Sequence, residues 1–139
     1  MRSQAMGKEH ILEHDTPASK PDRDALDDRA NALDAAYLSA QTFGDVALEI
    51  ELLELFIAQA RRLVPKLATD DSRERADIAH LLKGSARAVG AQLLAAAVEA
   101  FDQGTDARQG QGLSAYQAVT SAFQQTEAAI AARIAELQA

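Results

Sequence analysis

The sequence has no cysteine and no tryptophan, only three prolines, and aromatic residues make up just 4% of it. Without cysteine there is no disulfide framework, no thiolate-ligated zinc and no thiol nucleophile, and nothing demands an oxidising compartment. Aromatic and β-branched residues are sparse beside abundant alanine, which favours helix over sheet. Cations are outnumbered as well: 14 Lys and Arg face 21 Asp and Glu, a formal net charge of −7. That balance argues against nonspecific binding to nucleic acid, which needs many cations to displace counterions. No apolar run approaches the roughly 20 residues of a membrane span. Met1 to Asp15 lacks the apolar core of a signal peptide. The 139 residues suffice for one domain with a working core. The expectation is an acidic, cytoplasmic, all-α protein.

Two regions differ in composition. Residues 1–29 carry Ser3, Gln4, Lys8, Glu9, Asp15, Pro17, Ser19, Pro21 and Asp22 with few large apolar side chains. Such a segment buries too little surface to offset its ordering entropy, so it is expected to be a disordered tail. Residues 30–139 read as the folded domain. Leu33, Ala36, Tyr37 and Ala40 fall at helical spacing in a short first helix. Phe43-Gly44-Asp45 has the form of a helix stop followed by the cap of the next helix.

The second helix, Val46 to Leu67, is the most apolar stretch. Leu48, Leu52, Leu55, Phe56, Gln59 and Leu63 share one face, and Ile50, Leu53, Ile57 and Val64 widen it. A stripe that wide belongs to a central helix contacted from more than one side. Pro65 should kink or end it. Asp71-Ser72-Arg73-Glu74 has capping-box spacing, with Asp71 as N-cap and Glu74 reaching back. The third helix should then run to Val89, with Gly90 closing it in a left-handed conformation. A fourth, Ala91 to Gln103, packs through Leu94, Ala97, Val98 and Phe101. A Gly-, Asp- and Gln-rich connection follows from Gly104 to Gly112. The last helix, Leu113 to Leu137, has a seam of Leu113, Tyr116, Thr120, Phe123, Ile130, Ile134 and Leu137, interrupted by Glu127. The expected fold is all-α: an antiparallel four-helix bundle preceded by one short helix and the tail.

The third helix carries the chemistry. Ile78, Leu81, Leu82, Ser85, Ala88 and Val89 are spaced to face the bundle, while Arg73, Asp77, His80, Lys83, Gly84 and Arg87 lie opposite. An acidic protein thus gathers cations around one solvent-facing histidine. Gly84 is a second oddity, because a mid-helix glycine costs about 1 kcal/mol relative to alanine. Close approach of another surface beside His80 would compensate. A lone exposed His is ordinarily just solvated, a mid-helix Gly can simply be tolerated, and a charged strip is usually a solvated face. All three within one turn suit a phosphoryl acceptor. Neutral imidazole is nucleophilic near neutral pH, the Lys83 ammonium can neutralise phosphoryl oxygens, and Gly84 leaves room for in-line approach.

The run from Ala79 through His80, Lys83, Gly84, Ser85 and Gly90 to Ala91 resembles the signature of the histidine-containing phosphotransfer (HPt) domain. That pattern is a His, then Lys and Gly one turn on, a small residue, and a second Gly closing the helix. The resemblance extends over Leu33 to Leu137. It implies a phosphocarrier in a multistep His–Asp phosphorelay, with phosphate on Nε2 of His80 passing between receiver-domain aspartates. By the same resemblance Lys83 stabilises the phosphoryl group, Gly84 clears its approach, Ser85 packs inward and Gly90 shapes the following turn. Gln59 resembles a helix-two Gln lying beside the histidine in some members. Ala86 and Ala88 stand where the family often has Ser and Asn, which bears on loop hydrogen bonds rather than on the acceptor.

The implied partner is the receiver domain of a hybrid histidine kinase, of a response regulator, or of both, with neither nucleic acid nor membrane involved. No cofactor is expected in the chain, magnesium being held by the receiver. An electronegative receiver site would give Arg73, Lys83 and Arg87 a reason to surround His80. Leu33, Tyr37 and the exposed edge of the second helix are candidate apolar contacts. The sequence shows no glycine-rich ATP-binding box and no fused receiver, so a stand-alone carrier without kinase activity is expected, and the resemblance implies a monomer. A helical adaptor that binds receivers or kinases without carrying phosphate is the alternative. His10 and His14 have i, i+4 spacing but no fixed third ligand, so no metal site is expected. No Ser/His/Asp set or carboxylate pair can be placed in a common cleft, which disfavours a hydrolase.

Overall fold

A computed structural model of the chain describes residues 32–104 and 109–139, the side chains of 109–112 excepted. The tail expected over 1–29, with His10 and His14, lies outside the described residues. The described chain is all-helical: α1 (Ala35–Gln41), α2 (Val46–Leu63), a 3-10 helix (Val64–Ala68), α3 (Ser72–Ala88), α4 (Gln92–Gly104) and α5 (Gln109–Gln138). Among the described residues there is no strand.

Local chemistry sets most boundaries. Asp34 caps α1 by accepting from the Tyr37 N–H, and Asp45 caps α2 by accepting from the Leu48 N–H. Between them the chain reverses through two left-handed residues, Phe43 (φ 57°) and Gly44 (φ 75°). Pro65 falls in the first turn of the 3-10 helix, where its missing N–H costs nothing, and so marks the end of α2. Asp71 caps α3 by accepting from the Arg73 and Glu74 N–H groups. The reciprocal arm of the expected box is rearranged. The Glu74 carboxylate accepts from the Thr69 hydroxyl at 3.0 Å, and that hydroxyl accepts the Asp71 N–H at 3.2 Å.

At the other end of α3, Gly90 (φ 80°) closes the helix as expected. The Ala91 N–H donates to the Ala86 carbonyl at 2.8 Å and the Gly90 N–H to the Arg87 carbonyl at 3.1 Å, a Schellman turn. This turn is also an anchor for α1. The Asp34 N–H donates to the Gly90 carbonyl at 2.9 Å, and a Cβ on Gly90 would lie 3.1 Å from the Asp34 carbonyl oxygen. Both the positive φ and the close approach demand glycine.

Helices α2 to α5 pack in a ring: α3 along α4, α4 along α5, and α2 against both α3 and α5. Their shared interior is filled by side chains such as Leu53, Phe56, Leu82, Leu94, Val98 and Val119. Several expected faces are rotated. In α2 the buried row is Glu49, Leu53, Phe56, Ala60 and Leu63, while Leu48 and Leu55 are exposed. With apolar residues all round this helix, hydrophobicity alone leaves its inward face undetermined. In α1 the buried residue is Leu38, while Ala36, Tyr37 and Ala40 are exposed. In α3, Ala79 and Ala86 are buried, and Leu81 and Ala88 are exposed.

The last helix starts at Gln109, earlier than Leu113, so part of the Gly- and Gln-rich stretch read as a connection is helical. Its buried positions are Val119, Ala122, Thr126 and Ile130, and Leu113 is exposed. Thr126 is tolerated in the interior because its hydroxyl donates to the Ala122 carbonyl at 2.8 Å. Glu49 is buried against Arg133 of α5, whose Nε donates to Oε2 at 2.6 Å and Nη2 to Oε1 at 3.3 Å. No local sequence signal announces this pair.

Candidate functional site

Helix α3 begins at the Asp71 cap and ends at the Gly90 turn, so both ends are fixed and the orientation of its faces follows. Burying Ile78, Ala79, Leu82 and Ala86 turns Arg73, Asp77, His80, Gly84 and Arg87 outward. His80 is exposed, and its imidazole makes no hydrogen bond or ion pair with any described residue. Lys83, one turn on, is partly buried, its side chain 21% exposed. Gly84 faces open space, for a Cβ built there meets nothing within 4 Å. Packing within the described chain therefore gives no reason for a glycine at this position.

The cationic strip is partly neutralised by an acid that the helical spacing of α3 could not reveal. Glu99, on α4, accepts from Arg87 Nη2 at 2.7 Å and lies 3.8 Å from Lys83 Nζ, both at Oε1. Gln103 Nε2 donates to its other oxygen at 3.2 Å. The cation island expected around His80 is thus an island with a counter-ion. A signal was present in the sequence: Glu99 is the only charged residue between Arg87 and Asp102.

The remaining expected residues are dispersed. Arg73 is exposed in the first turn of α3, Ser85 is half-buried, and Gly90 is buried in the turn against Asp34. Gln59 is half-buried on α2, and its side chain makes no hydrogen bond to a described residue. Leu33, expected as a docking contact, is buried in the core, whereas Tyr37 is exposed. Apolar side chains on the exposed part of α2 are Val46, Leu48 and Leu55.

A groove of about 570 Å³ lies between Ala32, Leu33 and Ala35 and the alanines of α5, and no residue of α3 lines it. Among the described residues no group of His, Asp and Glu is arranged to hold a metal ion, and no helix is long and apolar enough to cross a membrane. The chemistry available is that of one accessible imidazole, one nearby ammonium and a bare patch of helix between them and solvent.

A family model described as Hpt domain matches residues 51–139, which take in most of α2 and all of α3, α4 and α5. The chain belongs to the Hpt domain family. No curated protein and no solved structure matches the chain. An Hpt domain is a phosphocarrier module of phosphorelays with no kinase activity of its own. The matched span includes His80, Lys83 and Gly84, and also Glu99, the counter-ion of Lys83 and Arg87.

Proposed function

We propose that this Hpt protein relays a phosphoryl group between receiver-domain aspartates through phosphohistidine at Nε2 of His80. The observation that carries the reading is an exposed imidazole without a partner among the described residues, beside a glycine facing open space, inside the matched span. The Nε2 lone pair forms the N–P bond, and the O–P bond to the donor aspartate breaks to restore a carboxylate. The ring, now cationic, releases its Nδ1 proton to solvent. Return transfer runs the same steps backwards. Lys83 offsets charge on the phosphoryl oxygens, and Gly84 leaves space for in-line alignment of donor and acceptor. Arg73 and Arg87 favour docking of an electronegative receiver pocket, and Gln59, Ser85 and Gly90 support the site. The scaffold is an antiparallel four-helix bundle, acting as a cytoplasmic monomer. Magnesium belongs to the receiver partner, and the chain needs no cofactor.

Incubation with a panel of phosphorylated receivers tests this directly. Acid-labile, alkali-stable phosphate should appear on His80 with at least one of them. Label on another residue, or none across the panel, would overturn the carrier reading. Gly84→Ala separates space from stability. The added methyl meets nothing within 4 Å among the described residues, so the helix should gain about 0.5–1 kcal/mol. Transfer from a receiver should nevertheless slow by about ten- to a hundredfold, because a crowded approach misplaces the reacting atoms. Thermal unfolding and single-turnover transfer measured on the same sample report the two halves.

A further inference from the structure

Glu99 places a negative charge beside the cations that a phosphocarrier needs for its phosphoryl group. It pairs with Lys83 and Arg87, the two cations that follow His80 on α3, and its contacts with them are unequal. Arg87 and Gln103 fix its two oxygens at 2.7 and 3.2 Å. Lys83 is held only loosely, at 3.8 Å and on the oxygen Arg87 already occupies. A part-exposed pair at that distance is weak and easily exchanged.

We infer that Glu99 is a positioning residue that parks the Lys83 ammonium along α4 while His80 is unmodified and releases it when a phosphoryl group arrives. The inference rests on the phosphocarrier reading of His80. A phosphoryl group brings close to two negative charges and three acceptor oxygens, and His80 lies one turn from Lys83 on the same face. It therefore outcompetes a single carboxylate already committed to Arg87. Arg87 and Gln103 remain behind to keep Glu99 in place. The arrangement divides two cations of one strip between two tasks: Arg87 anchors the acid, and Lys83 serves the phosphate. Glu99 also lowers the positive potential of the resting site, so that anions other than the reacting phosphoryl group are held less strongly. The other reading is a plain brace between α3 and α4.

The test uses the full chain and a small donor, potassium phosphoramidate, so that no receiver interface enters. His80 attacks phosphorus, the P–N bond of the donor breaks, and ammonia leaves. In Glu99→Gln the amide keeps the shape and a hydrogen-bond acceptor for Arg87 but loses the charge. His80 labelling should then accelerate about three- to tenfold at low salt, as removal of a nearby charge would produce. The gain should vanish near 1 M salt, where the Debye length is about 3 Å. In a Lys83→Met background the same substitution should change the rate less than about twofold, and Glu99→Asp should restore slow labelling. An unchanged rate in Glu99→Gln, or an equal acceleration without Lys83, would overturn the positioning role. So would a fall in Tm with no salt-dependent change in rate, the behaviour of a brace. Failure of the wild-type chain to label at His80 would instead overturn the carrier reading on which the inference stands.

Discussion

Replacing His80 by Gln is expected to abolish phosphoryl transfer while leaving the fold intact. The side chain is exposed and makes no hydrogen bond to a described residue, so its loss should change stability by no more than about 0.5 kcal/mol. Gln keeps a polar surface of similar reach but has no nucleophilic nitrogen lone pair, because its amide nitrogen is delocalised into the carbonyl. Acid-labile label from a phosphorylated receiver should fall to background, while binding to that receiver, measured by titration calorimetry, should stay within about threefold. This variant also separates the carrier from a helical adaptor, which needs only the surface. If His80→Gln signalled as well as the wild type, the adaptor would be the better description.

The second large effect lies far from the site. Arg133→Met leaves the Glu49 carboxylate, 2% exposed as a side chain, in the interior without its only cation among the described residues. Breaking one partner of a buried pair costs about 3–5 kcal/mol. Arg133 itself is 21% exposed, so water can reach part of the vacated space, and about 3 kcal/mol is the expected loss. That corresponds to a drop in Tm of about 10–20 °C for a domain of this size. The double variant Glu49→Leu with Arg133→Met should recover most of the loss, since an apolar pair of similar volume removes the desolvated charge altogether. If the double variant were no more stable than Arg133→Met, packing rather than charge would be the cause. The Glu49 hydrogen bond, opposed by burial, raises the Arg133 guanidinium above its ordinary value. A cation whose folded value is raised contributes fully at every pH below its unfolded value, so this residue adds no pH dependence in the working range.

These two positions differ in how readable they were. His80, Lys83 and Gly84 announce themselves locally: their spacing puts them on one helix turn, and a glycine inside an otherwise good helix is a rule broken without a local reason. The Asp45 and Asp71 caps and the Gly90 stop are equally local, and all lie where the sequence places them. Glu49 is the opposite case. Its partner is 84 residues away, and an acid at the head of a buried row disguises which row is buried. That disguise, together with leucines on every side of α2, turned the expected inward face toward solvent at Leu48 and Leu55. Glu99 lies between these cases, only 12 residues from Arg87 but on a different helix, beyond the reach of i, i+4 spacing. The start of α5 was obscured because Gly and Gln are read as connection by composition, whereas the helix continues back through them to Gln109.

The Gly90 turn has a consequence for the order in which the molecule assembles. Helices α3 and α4 are neighbours in sequence as well as in space, so their hairpin can form by local search. The Asp34 to Gly90 hydrogen bond joins points separated by the whole of α2 and α3, a closure that can be made only once the turn it grips already exists. Helix α1 is therefore expected to dock last, onto a surface already formed by that turn. The loop entropy of its attachment is borne after the helix that presents His80 has been capped at both ends.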